Sequence, residues 1–178
     1  KSTKFHLKRV LSHAHMTFPE MYTVLAGIES CLNSRPLCPL SDDPNDLDVL
    51  TSGHFLVGAP LTSIPEPQYV DNNVNRFSRW QRVTQIQQHF WQRWAKEYLC
   101  QLQERTKWQR EQFPRLDPGT LVLLKDCTPP LTWRRGRVVA VHPGDDGCVR
   151  VVSVKLGKEV VRRAARTLCV LPGSVMGN

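Results

Sequence analysis

From Arg76 to Gln112 the chain carries neither glycine nor proline, and its apolar residues return with helical spacing. Phe77, Trp80, Val83, Phe90, Trp94 and Leu102 fall near one stripe, which Ile86, Trp91, Tyr98 and Leu99 widen. This pattern predicts one long helix with a buried face. Pro114 and the Asp117-Pro118-Gly119 turn close it. After Gly119 the period drops from the helical value to two. TLVLLKD, WRRGRVVAVH, CVRVVSVKL, EVVRRAART and LCVLP read as five short strands, with turns at HPGDDG and Gly157-Lys158. A helical half followed by a run of strands is an α+β chain, and five short strands predict a small antiparallel barrel.

Upstream, Phe5, Leu7, Val10 and Leu11 mark a first helix. Lys1, Lys4 and Lys8 stand at i, i+3 and i+7, so a helix puts all three on one face. Thr17-Phe18-Pro19-Glu20 is a capping box with proline in the first turn. The apolar set Phe18, Met21, Tyr22, Leu25, Ile28 and Leu32 then predicts a second helix, ended by Asn33 and Pro36. From Cys38 to Asn75 the chain is rich in Pro, Asp and Asn and reads as loop. The exception is LTSGHFLVGAPL, a short helix with Thr51 as cap and Gly58 as stop. The last residues, GSVMGN, are expected to fray.

The chain has 178 residues and a net charge of +8. Its 40% hydrophobic content excludes a disordered chain. No apolar run has membrane-spanning length, and no signal core follows the charged N-terminus. The charge is unevenly placed. Residues 39–75 hold no Lys or Arg and six Asp or Glu, whereas residues 76–112 hold eight basic against three acidic and residues 118–172 hold ten against four. This points to a polyanionic partner; solvated faces are the plainer alternative. The six cysteines form no Cys-x-x-Cys pair and have no zinc-finger spacing with histidine, so reduced thiols in an intracellular protein are expected.

No nucleophile and base pair stands out among the histidines His6, His13, His15, His54, His89 and His142. His13 and His15 diverge on a helix, where a metal pair stands at i, i+4. The acidic run Asp42, Asp43, Asp46 and Asp48 has the residue type of a two-metal site, but it lies in a loop with no scaffold. Glu29 sits on a helix, where an ion pair or an edge position explains it. No phosphate-binding glycine loop is present, since Gly53 to Gly58 lacks the Lys-Ser/Thr ending. The strongest functional signal is basic. Arg134, Arg135 and Arg137 surround Gly136, with Arg135 and Arg137 on one face by alternation. Arg150, Lys155, Arg162, Arg163 and Arg166 follow on later strands. Small barrels bind nucleic acid through such surfaces, while edge strands also carry Arg and Lys to prevent aggregation.

In order, KSTKFHLKRVL, IESCLNSRPL, LTSGHFLVGAPL, RWQRVTQIQQHFWQRWAKEYLCQLQERTKW and GTLVLLKD...WRRGRVVAVHPGDDGCVRVVSVK resemble the C-terminal part of Pao/BEL-type retrotransposon integrases. The resemblance runs to about Pro172. It implies that residues 1–60 end an RNase H-like catalytic core. Residues 61–75 would then be a connector, 76–113 a linking helix, 117–172 an SH3-like barrel and 173–178 a tail. Such integrases use an Asp, Asp, Glu triad holding two magnesium or manganese ions for strand transfer. The family's Glu would stand just before Lys1, and both Asp residues further upstream. Glu29 matches the family's Ile-Glu-x-x-Leu-Asn-Ser-Arg-Pro segment and not the catalytic one. The resemblance therefore implies a chain with no catalytic residues and no cofactor of its own.

What it implies instead is sequence-tolerant DNA binding in support of integration, nuclear or cytoplasmic. Lys1, Lys4 and Lys8 would face DNA, joined by Arg134, Arg135, Arg137, Arg150, Lys155, Arg162, Arg163 and Arg166. Lysines and arginines that neutralise phosphates read no bases, so binding is expected to be salt-sensitive. Chromatin proteins and integrase self-assembly are further expected partners; a membrane is not. The rival is a chromatin or protein-interaction module recruited from a retroelement. An aromatic cage for methyl-lysine built from the barrel alone is not expected, because Trp133 is the sole aromatic residue between Gly119 and Asn178. A third reading, an active nuclease, needs carboxylates that the chain does not display.

Overall fold

The structure, a computed structural model, describes residues 2–11, 15–41, 43–64, 66–72, 77–103, 116–145 and 147–173. Lys1, His13, Asp42, the helical pattern from 104 to 112 with Arg105 and Lys107, and the tail 174–178 lie outside them. Among the described residues the architecture is α+β, with four helices, a two-stranded hairpin and a five-stranded antiparallel sheet. The chain divides into two compact units. One holds residues 1–35, 52–97 and 127–132; the other holds 36–51, 98–126 and 133–178. None of the helices is long and apolar enough to cross a membrane among the described residues.

The first unit is built on α1 (Ser2–Leu11), α2 (Phe18–Asn33), α3 (Ser52–Val57) and the part of α4 (Arg79–Leu102) that ends at Glu97. Its α4 side chains Val83, Ile86, Phe90, Trp91, Trp94 and Ala95 are buried, as the period predicts. Trp80 departs from the predicted stripe and is 60% exposed. It lies in the first turn of α4, and burial begins only at Val83. Phe77 instead packs edge-on to Tyr69, with ring centroids 5.3 Å apart. Two polar residues of the helix, Gln85 and Gln88, are buried as well. They strap the segment 67–72 to the helix: Gln85 donates to Tyr69 O and Asn72 O, and Gln88 donates to Pro67 O while accepting from Tyr69 N. Backbone groups that would otherwise be orphaned beside a buried helix are thereby satisfied.

The buried face of α2 is also not the predicted one. Val24, Ile28 and Cys31 are buried, whereas Phe18 is 83% and Tyr22 69% exposed, and Leu25 is exposed too. The helix is apolar on two sides, so periodicity did not single out one of them. At Gly27 this helix meets the Gln87 side chain of α4: a β-carbon there would stand 2.2 Å from the Gln87 amide nitrogen, which would have to shift. Gln87 Nε2 then donates to Thr23 O at 3.0 Å.

The α2 cap is as predicted: Thr17 N–H donates to the Glu20 carboxylate at 2.7 Å. Arg79 adds a fork, Nε at 2.5 Å and Nη2 at 2.8 Å. Hydrogen bonds from Arg79 and then Thr17 hold the Glu20 carboxyl at about 2, below its ordinary 4.5. A depressed carboxyl stabilises the fold above its unfolded pKa and loses that contribution as pH falls toward the folded one. Thermal melts between pH 4.5 and 2 should therefore fall more steeply for the wild type than for Glu20→Gln. Parallel profiles would show that the fork does nothing for stability.

In the second unit the sheet order is β6-β5-β4-β3-β7. The strands are β3 (Leu121–Leu124), β4 (Arg135–Pro143), β5 (Val149–Leu156), β6 (Glu159–Ala164) and β7 (Leu168–Val170), with a 3-10 turn at Ala165–Thr167. Every pairing is antiparallel, and the edges β6 and β7 are not paired to each other among the described residues. One sheet face buries Val122, Leu124, Val138, Val152, Val154 and Leu168. The other buries Leu121, Leu123 and Cys169 under Leu99, Val49 and Leu171. Burial pushes the Cys169 thiol up to about 11, and that of Cys31 in the first unit up to about 12. All six cysteines are unbridged. The hairpin of β1 (Pro36–Pro39) and β2 (Val49–Thr51) occupies a stretch that reads as loop in sequence. Prolines at both ends of β1 hide the strand signal.

Candidate nucleic-acid interface

The basic residues of the second unit divide sharply by what their side chains already touch. Gly136 sets the frame, because a β-carbon there would come within 2.5 Å of Val154 and 2.7 Å of Leu156. Glycine lets β5 lie close, with Arg135 and Arg137 flanking it on one face of the strand. Arg137 pairs across to Leu121 and Lys155 and is only 7% exposed. Each of its three nitrogens donates to a backbone carbonyl: Nε to Asp46 at 3.0 Å, Nη1 to Gly119 at 2.9 Å and Nη2 to Ser41 at 2.9 Å. That corrects its expected place on a DNA-facing surface: three of its five N–H bonds are committed to backbone carbonyls and the side chain is buried.

The same row belongs to the loop between β1 and β2. Lys155 Nζ donates to Asn45 Oδ1 at 2.9 Å, and Arg135 stands 3.7 Å from Asp48. The loop is itself braced, with Asn45 N donating to Asp43 Oδ1 and Asp48 N to Asp46 Oδ1. Of the acidic run that looked unsupported in sequence, Asp43, Asp46 and Asp48 are therefore fixed along the Arg135, Arg137 and Lys155 row. No group of three or more His, Cys, Asp or Glu suited to a metal occurs among the described residues. Glu29 is exposed on α2.

On the next residue back, Arg134 pairs with Asp126 at 2.8 Å, and Arg163 stands 4.0 Å from the same carboxylate. Arg150, Arg162 and Arg166 are exposed. Among the described residues the Arg162 and Arg166 side chains have no partner, and only the Arg166 carbonyl is used, by Gln103. In the first unit Lys4 and Lys8 are exposed on α1, one turn apart.

Residues 78–171 match a protein family of unknown function (DUF5641). The chain belongs to the DUF5641 family. The DUF5641 segment takes in α4 and all five strands of the sheet, with every strand arginine named above; Lys1, Lys4 and Lys8 fall outside it. No curated protein and no solved structure matches the chain.

Proposed function

We propose that this chain is the C-terminal part of a Pao/BEL-type retrotransposon integrase, or a relic of one, and binds DNA without regard to sequence. The observation that carries the reading is two exposed arginines, Arg162 on the edge strand β6 and Arg166 in the 3-10 turn after it, whose side chains have no partner among the described residues. Long basic side chains free of internal acceptors neutralise phosphates and read no bases. The SH3-like barrel belongs to the same reading. Its support is that the last strand, after a 3-10 turn, pairs with the first. The ladder between those two strands runs on to Lys125 N, which donates to Thr167 O, and the sheet curls enough for Arg163 on β6 to reach Asp126. In this reading strand transfer, with its metal ions, belongs to carboxylates that this chain does not carry.

A protein-interaction role has one observation in its favour, the exposed apolar residues Phe18, Tyr22 and Leu25 on α2 with Phe55, Leu56 and Val57 on α3. A methyl-lysine cage has less. Trp133 packs edge-on against Tyr98 at 5.5 Å, and both are partly buried against the core, so the two rings face each other and not a cage. The test is binding to two unrelated duplexes of equal length. Affinities within about threefold of each other are expected, as for phosphate-dominated contacts. A strong preference for one duplex, or protein partners that stay bound after nuclease treatment with no duplex affinity, would replace this reading with the second.

A further inference from the structure

Two arginines from different strands converge on one carboxylate oxygen. Arg134, just before β4, donates through Nη1 to Asp126 Oδ2 at 2.8 Å. Arg163, on β6, brings Nη2 to 4.0 Å from that same atom. In sheet order β5 and β4 separate β6 from β3, whose exit carries Asp126, so the three residues meet only because the sheet curls. The acceptor supply does not match the donors. Two guanidinium groups offer ten N–H bonds between them. Among the described residues only Asp126 Oδ2 is placed to receive them, and just one contact is within hydrogen-bond distance. Arg163 Nε is buried and donates to nothing among the described residues. Yet all three side chains are partly exposed, so a small solute can reach them.

Nε and Nη2 form the guanidinium edge that receives an oxyanion in bidentate fashion, and in Arg163 that edge has an unused Nε and an Nη2 turned toward Asp126. A phosphate group supplies more acceptor oxygens than a carboxylate and up to twice its charge. Asp126 holds the position with one oxygen and an exposed ion pair, which is the weak kind.

We propose that Arg134 and Arg163 form a phosphate site and that Asp126 is its resident competitor, displaced when a phosphate enters. This rests on the DNA reading only for the source of the phosphate, a nucleic-acid backbone; the site itself takes any accessible phosphate group. Asp48, which stands beside the adjacent Arg135, is the matched control, since it removes the same charge from outside the site.

The experiment follows the arginine side-chain Nε–Hε NMR signals of the full chain during titration with inorganic phosphate. The Arg134 and Arg163 signals should move and saturate. The midpoint should fall about fivefold in Asp126→Asn, the scale of an exposed ion pair, and stay put in Asp48→Asn. Arg163→Lys keeps the charge but loses the fork, and should abolish saturation at Arg134. A static Arg163 signal in the wild type and in Asp126→Asn overturns the proposal. So does a midpoint that is unchanged or raised in Asp126→Asn, or a wild-type response from Arg163→Lys. A duplex arm separates the two readings. Saturating phosphate shifts without duplex binding keep the site and remove the DNA function. Duplex binding with static signals does the reverse.

Discussion

Replacing Trp91 by alanine should lower the unfolding free energy of the first unit by about 4 kcal/mol. The side chain is fully enclosed, next to Phe90 in the chain and tilted against Trp94 at 5.9 Å. Truncation leaves a cavity that a helix held by glutamine straps cannot close by collapsing. It also orphans the Thr128 carbonyl, which now accepts from the indole Nε1 at 2.9 Å. Urea unfolding gives the number directly from the midpoint and slope. Trp80→Ala, in the same helix but exposed, should change stability by no more than about 0.5 kcal/mol. If the two substitutions cost the same, the burial assigned to this helix is wrong.

Arg137 and the pair Arg162 and Arg166 should separate folding from binding. Arg137→Met keeps the length of the side chain and removes its donors, leaving the Ser41, Asp46 and Gly119 carbonyls without their charged partner. The expected loss is about 3 kcal/mol in unfolding, with the duplex affinity of the folded protein unchanged. Arg162→Glu combined with Arg166→Glu should do the opposite. Unfolding should stay within about 0.5 kcal/mol of wild type, and duplex affinity should fall about tenfold or more. Measuring melting and duplex binding on both variants checks each half. A binding loss confined to Arg137→Met would place the interface on the row that the acidic loop occupies.

Much of this arrangement was legible in the sequence because period reports packing. Val83, Phe90 and Trp94 recur as one side of a helix must, and short β-branched and apolar runs between turn residues mark β3 to β7. The rest depends on tertiary partners that no period encodes. Nothing local marks Gly27 as the point where α4 approaches, so the apolar Phe18, Tyr22 and Leu25 pass for core. Nothing local marks Asp46 and Ser41 as acceptors for an arginine some ninety residues away. Arg135, Arg137 and Lys155 therefore look in sequence like the free Arg162 and Arg166. The Asp126 contact to Arg163 is hidden for the same reason, since it exists only once the sheet has curled.

The central claim is that this surface meets DNA by charge alone, and salt dependence tests it most directly. Duplex affinity should be measured at 50 and 200 mM salt. With several phosphates neutralised, it should drop by about tenfold to a hundredfold or more across that range. No binding at the lower salt, or binding that does not change between the two, would contradict the account.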